Sequence, residues 1–390
     1  MQFSTPVSSS PPQPGGGIAS VSRDGSALCV TWADGLSGRF HHIWLRDNCS
    51  CPLCGSHESG SRFQSLLDIP VNIAPAGVSH DSSALTLHWQ GDDHMSCYSS
   101  AWLRRHCYSN TARAGRLQRR TYWDATLSEL PTADFPALEQ DFTERHRLFA
   151  NVAEYGFVVV RGLGTKPEQT LRLAALLGYV RDTHFGLVTD LTLRANGQHI
   201  ADYPVGILPH TDETYRATPT GINIFHCIVP CDQGAGHTVL VDSHSCARKL
   251  KELDAESFDL LCRLPIQHVR RTLGETIRSS HPAFTLDTEG ELAEVRLNER
   301  TMSTLSVPEH LMEAAYVALR KAFEVAYAPE NCCTFRLAAG DALVSDNLRV
   351  LHGRTAVTGR RLLRQTNVMR DEFFARLAAL EELLNPGATA

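Results

Sequence analysis

Hydrophobic and polar positions alternate along the first third of the chain. Residues 27–32 and 84–89 both show this period of two, and each run is followed by a turn that combines Gly with Asp. Such alternation is typical of strands with one buried face. The pattern predicts a small β-rich region from about Ser26 to Cys107, and we place this N-terminal domain at residues 19–107.

From residue 131 onward the pattern also contains helical and fully buried segments. A helix is predicted over Phe142–Tyr155 with Gly156 as its C-terminal cap, and the apolar run Phe157–Val160 predicts a buried strand. Further predicted helices are 167–177, 244–262 and 308–327, and further predicted strands are 221–229, 237–242, 294–298 and 335–345. Many short strands with inserted helices favour a β-sandwich or jelly-roll barrel for residues 131–390, with helices packed on one face.

Two segments lie outside these domains. Residues 1–18 are rich in Ser, Pro and Gly and are predicted to be a disordered leader; they contain no Arg or Lys, so we expect neither a secretory nor a mitochondrial signal. Residues 108–130 are polar and basic and are predicted to be a connector.

Composition narrows the classes of partner. The 390 residues carry a formal net charge of −6 without a basic block, so the chain repels nucleic-acid phosphates and anionic membranes. No apolar run approaches the ~20 residues that a transmembrane helix needs. We therefore expect a soluble, cytoplasmic protein with no nucleic acid and no membrane as partner.

Twelve cysteines without an export signal favour metal binding over disulfides.

Three cysteines are concentrated within six residues. They are Cys49, Cys51 and Cys54. Thiolates gathered in so short a stretch are typical of a tetrahedral zinc ion. His94, in a turn after a predicted strand, is the preferred fourth ligand, with His106 and Cys107 as alternatives. A Cys3His set leaves no open coordination position, so we expect a structural zinc that replaces part of a small core.

A histidine and a carboxylate lie two positions apart, at His210 and Asp212, in a polar loop before a predicted strand. Taken alone, such a pair is common by chance. His352 follows a predicted strand and has apolar neighbours, so by itself it is typical of a buried core histidine. Together the three residues form a set of two histidines and one carboxylate, which binds ferrous iron on one face and leaves the other positions open.

Basic residues follow His352 by about ten positions, at Arg361 and Arg364. A 2-oxo acid that chelates iron leaves a distal carboxylate, for which a guanidinium is a two-pronged partner. The hydroxyl of Thr238 is a further candidate for the same carboxylate. The sequence therefore predicts an iron centre that takes 2-oxoglutarate.

At this point the sequence resembles the γ-butyrobetaine hydroxylase and trimethyllysine hydroxylase family of Fe(II)- and 2-oxoglutarate-dependent oxygenases, in a branch that includes (2-trimethylaminoethyl)phosphonate dioxygenase. The resemblance covers residues 26–380. The runs that carry it are Trp44–Cys49 with the cysteine cluster, His210–Tyr215 (HTDETY), Phe225–Cys227 and Asp346–Arg354 (DNLRVLHGR).

The resemblance implies a mainly β fold with flanking helices, in which a double-stranded β-helix (jelly-roll) core follows a small β-rich zinc domain. It implies a dioxygenase that consumes O2 and 2-oxoglutarate, releases succinate and CO2, and forms a homodimer. It places iron on His210, Asp212 and His352, zinc on Cys49, Cys51, Cys54 and His94, and 2-oxoglutarate on Arg361 beside Thr238 and Arg364.

The resemblance also implies a small trimethylammonium zwitterion as substrate, with its cation in an aromatic cage. The cage positions fall at Phe185, Thr189, Tyr203 and Asn367, of which only Phe185 and Tyr203 are aromatic. Neighbouring carboxylates that supply charge where rings are missing are Asp202 and Glu213.

The anionic end of the substrate is expected at the predicted strand after Glu294, where Asn298 and Arg300 are the candidates. A guanidinium suits a doubly charged phosphonate better than a carboxylate. The expected substrate is therefore (2-trimethylaminoethyl)phosphonate or γ-butyrobetaine.

Two other functions are consistent with parts of the pattern. One is a zinc-dependent binding or scaffold protein with an inactive barrel. The complete set of two histidines and a carboxylate argues against this function. The other is a cupin-like metal isomerase on a jelly roll, which would consume neither O2 nor 2-oxoglutarate.

Overall fold

The computed structural model of the chain describes residues 16–55, 60–91, 94–117, 119–194, 200–231, 235–272 and 274–384. The chain divides into two compact units, residues 1–117 with 382–390 and residues 118–381. Most of the predicted leader lies outside the described residues, and the first strand begins at Ile18, the last residue assigned to that leader.

The first unit contains two three-stranded antiparallel sheets and three short helices. Its strands are β1 (Ile18–Asp24), β2 (Ala27–Trp32), β3 (Ser37–His41), β4 (Pro75–His80), β5 (Ala84–Trp89) and β6 (Met95–Ser99). Its helices are α1 (His42–Asp47), α2 (Ser100–Arg105) and α3 (Asn110–Ala114). The sheet orders β1-β2-β3 and β4-β5-β6 are two meanders, as expected for short alternating strands joined by turns.

Two buried tryptophans help to hold this unit together. Trp32 and Trp89 pack in its apolar core, and their indole N–H groups donate to Ser100 Oγ at 3.0 Å and Ser96 Oγ at 2.8 Å. Tyr98, also buried, donates to the backbone oxygen of Leu45. Each large ring thus buries its area without leaving its polar atom unpaired.

The second unit contains a four-stranded and a six-stranded sheet with helices around them. Its strands are β7 (Thr132–Asp134), β8 (Phe157–Arg161), β9 (Thr189–Leu191), β10 (Ile207–His210), β11 (Ile222–Val229), β12 (Thr238–Asp242), β13 (Pro265–Thr272), β14 (Glu275–Pro282), β15 (Phe284–Leu286), β16 (Leu292–Val295), β17 (Cys333–Phe335), β18 (Ala342–Asp346), β19 (Val350–Arg354) and β20 (Leu362–Val368). Its helices are α4 (Phe135–Gln140), α5 (Phe142–Tyr155), α6 (Gln169–Leu177), α7 (Ser243–Leu253), α8 (Ala255–Arg263), α9 (Met312–Tyr327) and α10 (Arg370–Leu384).

The strand orders β10-β19-β12-β17 and β7-β8-β18-β11-β20-β9 form the two sheets of a jelly roll, and β7–β8 is the parallel pair. A core with side chains from both sheets includes Phe157, Phe225, Leu240, Leu343 and Val350. Helices α5, α6 and α10 pack on the six-stranded sheet, and helices α7, α8 and α9 share a separate apolar cluster. The predicted fold class, a jelly-roll core with flanking helices, is confirmed.

The helix-capping residues and the apolar run in the sequence predicted the positions of α5 and β8 correctly. Asp141 caps the start of α5 by accepting a hydrogen bond from the Thr143 N–H, and Gly156 ends the helix with φ of 83°. A Cβ on Gly156 would lie 2.6 Å from Val350 Cγ2, so this glycine also permits close packing on β19. The four apolar residues after Gly156 are fully buried in β8, which lies between β7 and β18 in the six-stranded sheet.

Three predicted elements differ from the structure. The helix predicted over 244–262 is two helices, because Asp254 caps a new start by accepting from the Ser257 N–H at 3.0 Å. The strand predicted over 335–345 is interrupted by a turn in which Gly340 has φ of 85°. The strand predicted over 294–298 already ends at Val295.

None of the described helices is both long and apolar enough to cross a lipid bilayer.

Candidate metal centre and active-site cavity

His210, Asp212 and His352 come together at the end of the four-stranded sheet. His210 is the last residue of β10 and lies directly opposite His352 of β19 in the antiparallel register. Asp212 follows two residues after His210, where the chain has left the strand. Residues far apart in sequence are therefore neighbours because two strands pair.

The distances among these three side chains suit a single metal ion. His210 Nε2 lies 3.2 Å from Asp212 Oδ1, and His352 Nε2 lies 3.2 Å from Asp212 Oδ2. All three ligand atoms lie within 4.8 Å of one another. At bonds of about 2.1 Å, adjacent octahedral positions are separated by about 3 Å, so the residues fit three positions on one face of an iron ion.

Neighbouring amides fix the Asp212 side of this triad. Asn347 accepts from the Asp212 backbone N–H at 2.8 Å and donates to the Asp212 backbone oxygen at 3.1 Å. The Oδ2 atom of Asp212 accepts from Gln365 Nε2 at 3.0 Å and from Asn223 Nδ2 at 3.3 Å. Such outer partners orient a carboxylate for metal binding.

The protonation states also suit metal ligands. Burial lowers the pKa of His210 to about 4, so its imidazole is neutral near pH 7. Burial alone would raise the pKa of Asp212, but the imidazoles of His352 and His210 hold it well below its usual value. The backbone oxygen of Leu208 lies 2.9 Å from His210 Nδ1, which favours the tautomer that leaves Nε2 as the ligand atom.

A cavity of about 800 Å³ opens onto the triad in the second unit. Most of the site residues predicted from the sequence line it. They are His210, Asp212 and His352, then Thr238, Arg361 and Arg364, and then Phe185, Asp202, Glu213, Asn298, Arg300 and Asn367. Tyr203 is not among the described residues that line the cavity, and it is 42% exposed.

One end of the cavity is strongly basic. Arg361 is buried, and burial lowers the pKa of its guanidinium; among the described residues none forms a hydrogen bond or ion pair with it. Thr238 lies opposite Arg354 across the β12–β19 pair. Arg364, by contrast, pairs with Asp190 at 2.9 Å and donates to the Pro167 backbone oxygen at 2.7 Å.

The cavity lining also contains acidic and aromatic side chains. Glu213 has φ of 53°, burial raises the pKa of its carboxyl, and Arg216 Nε lies 2.8 Å from it. The hydroxyl of Tyr215 donates to Glu213 at 3.3 Å. Asp202 is buried, with its Oδ1 3.8 Å from Arg194 Nε, and Phe185 also lines the cavity.

Asn298 is not on a strand as predicted, because the chain turns after Val295. Its Oδ1 accepts from the Arg300 N–H at 3.2 Å and caps a single 3-10 turn, and its Nδ2 donates to the Thr211 backbone oxygen at 3.0 Å. The turn brings Arg300 to the cavity, where its guanidinium lowers the pKa of His210 in part. Arg270 of β13 also lines the cavity.

A second candidate metal centre lies in the first unit. The Sγ atoms of Cys49, Cys51 and Cys54 lie 3.2, 3.7 and 3.5 Å from His94 Nε2. A tetrahedral zinc with bonds of ~2.3 Å to sulfur and ~2.0 Å to nitrogen separates such atoms by about 3.6 Å, so the four residues fit. The alternatives His106 and Cys107 are not in this cluster.

Comparisons with known proteins agree with both units. Residues 118–367 match the family model "Taurine catabolism dioxygenase TauD, TfdA family", and residues 19–104 match "Gamma-butyrobetaine hydroxylase-like, N-terminal". A trimethyllysine dioxygenase from Meyerozyma guilliermondii is 32% identical over 95% of this chain and 96% of its own length. The chain belongs to the γ-butyrobetaine and trimethyllysine dioxygenase family.

Other members of the γ-butyrobetaine and trimethyllysine dioxygenase family show similar coverage. A γ-butyrobetaine dioxygenase from a Pseudomonas species is 31% identical over 93% of this chain and 96% of its own length, and the human γ-butyrobetaine dioxygenase is 28% identical over 85% and 87%. A solved structure assigned as an α-ketoglutarate-dependent taurine dioxygenase from Burkholderia xenovorans has the same fold, with a TM-score of 0.50, 20% identity, and coverage of 64% of this chain and 92% of that chain.

The chain is therefore an Fe(II)- and 2-oxoglutarate-dependent dioxygenase, which excludes the inactive scaffold and the isomerase as its function.

Sequence reasoning missed several residues of this dioxygenase site. Gln365 and Asn223 hold Asp212, and Tyr215, Arg270 and Arg354 line the cavity. Tyr215 and Arg354 lie within the quoted motifs, so their positions beside the metal ligands were a usable signal. For Gln365, Asn223 and Arg270 the sequence held no such signal, because their strands had to be paired first.

Proposed function

We propose that the enzyme hydroxylates a small zwitterion with a trimethylammonium head, using His210, Asp212 and His352 to hold iron and Arg361 to hold 2-oxoglutarate. The observation that carries this proposal is a single cavity whose lining combines the triad with carboxylates, aromatic rings and guanidinium groups. When bound, iron and 2-oxoglutarate supply the oxidising chemistry, with O2 consumed and succinate and CO2 released. The protein positions one C–H bond of the substrate and excludes water.

The cation is assigned to four residues of the cavity lining, namely Phe185, Tyr215, Asp202 and Glu213. Aromatic faces attract quaternary ammonium groups, and buried carboxylates add to that attraction. Tyr215 is buried and lines the cavity, so it supplies a ring that the sequence-based cage lacks. Thr189 and Asn367 also line the cavity and stay candidate contacts, as does Tyr203 if its segment moves toward the substrate.

The anion is assigned to Arg300, whose backbone N–H donates to Asn298, with Arg270 as a further guanidinium in the cavity lining. Burial lowers the pKa of Arg300, while the Asp212 carboxylate opposes that effect. Two arginines in the lining of one cavity favour a doubly charged group, because each guanidinium forms charge-assisted hydrogen bonds. This arrangement supports (2-trimethylaminoethyl)phosphonate as the substrate, with γ-butyrobetaine as the alternative; the names of the relatives include both γ-butyrobetaine and trimethyllysine dioxygenases.

Succinate formation with each compound tests the substrate proposal. The Fe(II) enzyme is supplied with O2 and 2-oxoglutarate, and kcat/KM is compared for the phosphonate, γ-butyrobetaine and trimethyllysine. We expect the phosphonate to be preferred, and we expect Arg300→Gln to lower its kcat/KM by about 10- to 100-fold while affecting γ-butyrobetaine less. A clear preference for γ-butyrobetaine in the unaltered enzyme would refute the phosphonate assignment and leave the hydroxylase assignment intact.

We propose in addition that the Cys49, Cys51, Cys54 and His94 cluster holds a structural zinc ion. Its four ligands fill a tetrahedral shell, and Arg46 Nη1 donates to Cys54 Sγ at 3.3 Å, which stabilises a thiolate there.

The homodimer implied by the resemblance stays a prediction, which the molar mass from light scattering would check.

A further inference from the structure

Arg354 lies where the metal site, the basic end of the cavity and a segment of the cavity wall meet. It is the last residue of β19, two positions after His352. Alternate side chains of a strand face the same side, so Arg354 and His352 both face the cavity, and both line it. Two residues of strand span about 6.6 Å, a length comparable to a five-carbon dicarboxylate chelated to the metal at one end.

The contacts of Arg354 occupy one of its three nitrogen atoms. Nη2 donates to the backbone oxygens of Tyr203 at 2.6 Å and Ala201 at 3.2 Å. Nε and Nη1 are buried and have no hydrogen-bond partner among the described residues. A buried guanidinium with unpaired N–H groups is costly, so this arrangement favours the arrival of an anion.

Arg361 adds a second positive charge to the same place. Arg354 and Arg361 line the same cavity and are both buried, so their like charges repel each other. An anion bound at Arg361 would relieve this repulsion and strengthen the hold of Arg354 on its other partners. The charge bound at Arg361 would thereby affect the hydrogen bonds that Arg354 donates to Ala201 and Tyr203.

The segment that Arg354 holds is part of the substrate side of the cavity. Residues Ile200–Asp202 form a 3-10 turn whose Asp202 is buried and lines the cavity. The backbone oxygen of Pro204 accepts a hydrogen bond from the Val357 N–H at 2.9 Å, so the chain between β19 and Arg361 contacts the same segment. Residues 200–204 are thus fastened to the basic end of the cavity at two points.

We propose that Arg354 is a positioning residue that couples the binding of 2-oxoglutarate at Arg361 to the ordering of residues 200–204, and hence to formation of the cation site at Asp202. This inference rests on the proposed role of Arg361. In this arrangement Arg354 connects the co-substrate to residues 200–204 without contacting the substrate itself. Lysine cannot replace the arginine fully, because an ammonium group lacks the planar fork that reaches two carbonyls and still faces an anion.

Two measurements on the full-length Fe(II) protein without O2 test the coupling. The first is the dissociation constant of 2-oxoglutarate, from the visible charge-transfer band that appears on chelation. The second is hydrogen exchange of backbone amides in peptides that cover residues 200–208, with and without saturating 2-oxoglutarate. In the unaltered protein we expect 2-oxoglutarate to slow this exchange.

The variants are Arg354→Gln and Arg354→Lys, with Arg145→Gln as the matched control. Arg145 also donates to two backbone oxygens, those of Leu138 and Glu139, but it does not line the cavity. We expect Arg354→Gln to weaken 2-oxoglutarate binding by about tenfold or more and to abolish the exchange response. Arg354→Lys should keep the affinity within a few fold and still lose the response, and Arg145→Gln should behave like the unaltered protein.

The outcomes separate this inference from the function on which it rests. An unaltered protein that binds iron but gives no charge-transfer band would refute the 2-oxoglutarate site itself. A normal band with an exchange response that survives in Arg354→Gln at saturating 2-oxoglutarate would overturn the coupling. If Arg354→Gln does not fold, Arg354→Lys decides: a retained response in that variant would equally overturn the coupling.

Discussion

At the scale of single residues, the centre depends on three ligand side chains and on the amides around them. His210→Ala and Asp212→Ala each remove one of the proposed ligands, while the strand pair β10–β19 and the surrounding core remain. We expect each variant to lose iron binding and at least about a hundredfold of succinate formation, with an unchanged circular dichroism spectrum. Activity retained in both variants would refute the iron assignment.

Gln365 gives a finer test because it touches a ligand and not the metal. Its amide donates to Asp212 Oδ2 at 3.0 Å, on the oxygen that faces His352. Replacing it with Leu should lower iron affinity or turnover by about 10- to 100-fold, since an outer partner orients the ligand. Anaerobic iron titration measures this loss. An unchanged affinity and rate in Gln365→Leu would show that Asn223 and Asn347 suffice to fix Asp212.

At the scale of elements, Gly156 connects a helix end to the packing of the sheet. Both its φ of 83° and the 2.6 Å approach of Val350 Cγ2 to a Cβ placed on it oppose any side chain. We expect Gly156→Ala to lower the free energy of unfolding by about 2–4 kcal/mol, from backbone strain and overpacking together.

Gly290→Ala is the control that separates these two costs. Gly290 has nearly the same φ, 82°, but no atom lies within 4 Å of a Cβ placed on it. The control should cost only about 1–2 kcal/mol. Equal losses in the two variants, measured by chemical denaturation, would show that packing against β19 contributes nothing.

Elements with strong local signals could be predicted from the sequence, and elements defined by tertiary contacts could not. Helix α5 has a capping Asp, a regular period and a terminal Gly, and its observed bounds match the predicted ones. Strand β19 was not predicted, because His352 and Arg354 face a polar cavity and break the apolar alternation that identifies a strand. The candidate metal ligands could be named from their residue types, and Arg354 lies in a quoted motif beside one of them, whereas the contact of Gln365 with Asp212 emerges only once β20 is in place.

At the scale of the whole molecule, the described residues form two candidate metal centres with different donor atoms. Three thiolates and one imidazole in the first unit favour zinc, while two imidazoles and a carboxylate with open positions in the second unit favour ferrous iron. The two centres therefore differ in donor chemistry and in the number of open coordination positions. We expect the purified protein to contain about one zinc ion per chain, which stays bound when iron is removed.

Removing the zinc ligands should affect the stability of the first unit. Cys51→Ser takes away one thiolate of the cluster, whereas Cys97→Ser alters an exposed cysteine of the same unit that lies outside the cluster. We expect Cys51→Ser to lose its zinc and to show faster hydrogen exchange in residues 16–55 and 60–91, because the metal substitutes for core that a small domain lacks. Cys97→Ser should keep both the zinc and the protection. If Cys51→Ser loses zinc and keeps the protection, the two meanders are stable through their tryptophan-rich core alone, and the zinc has another role.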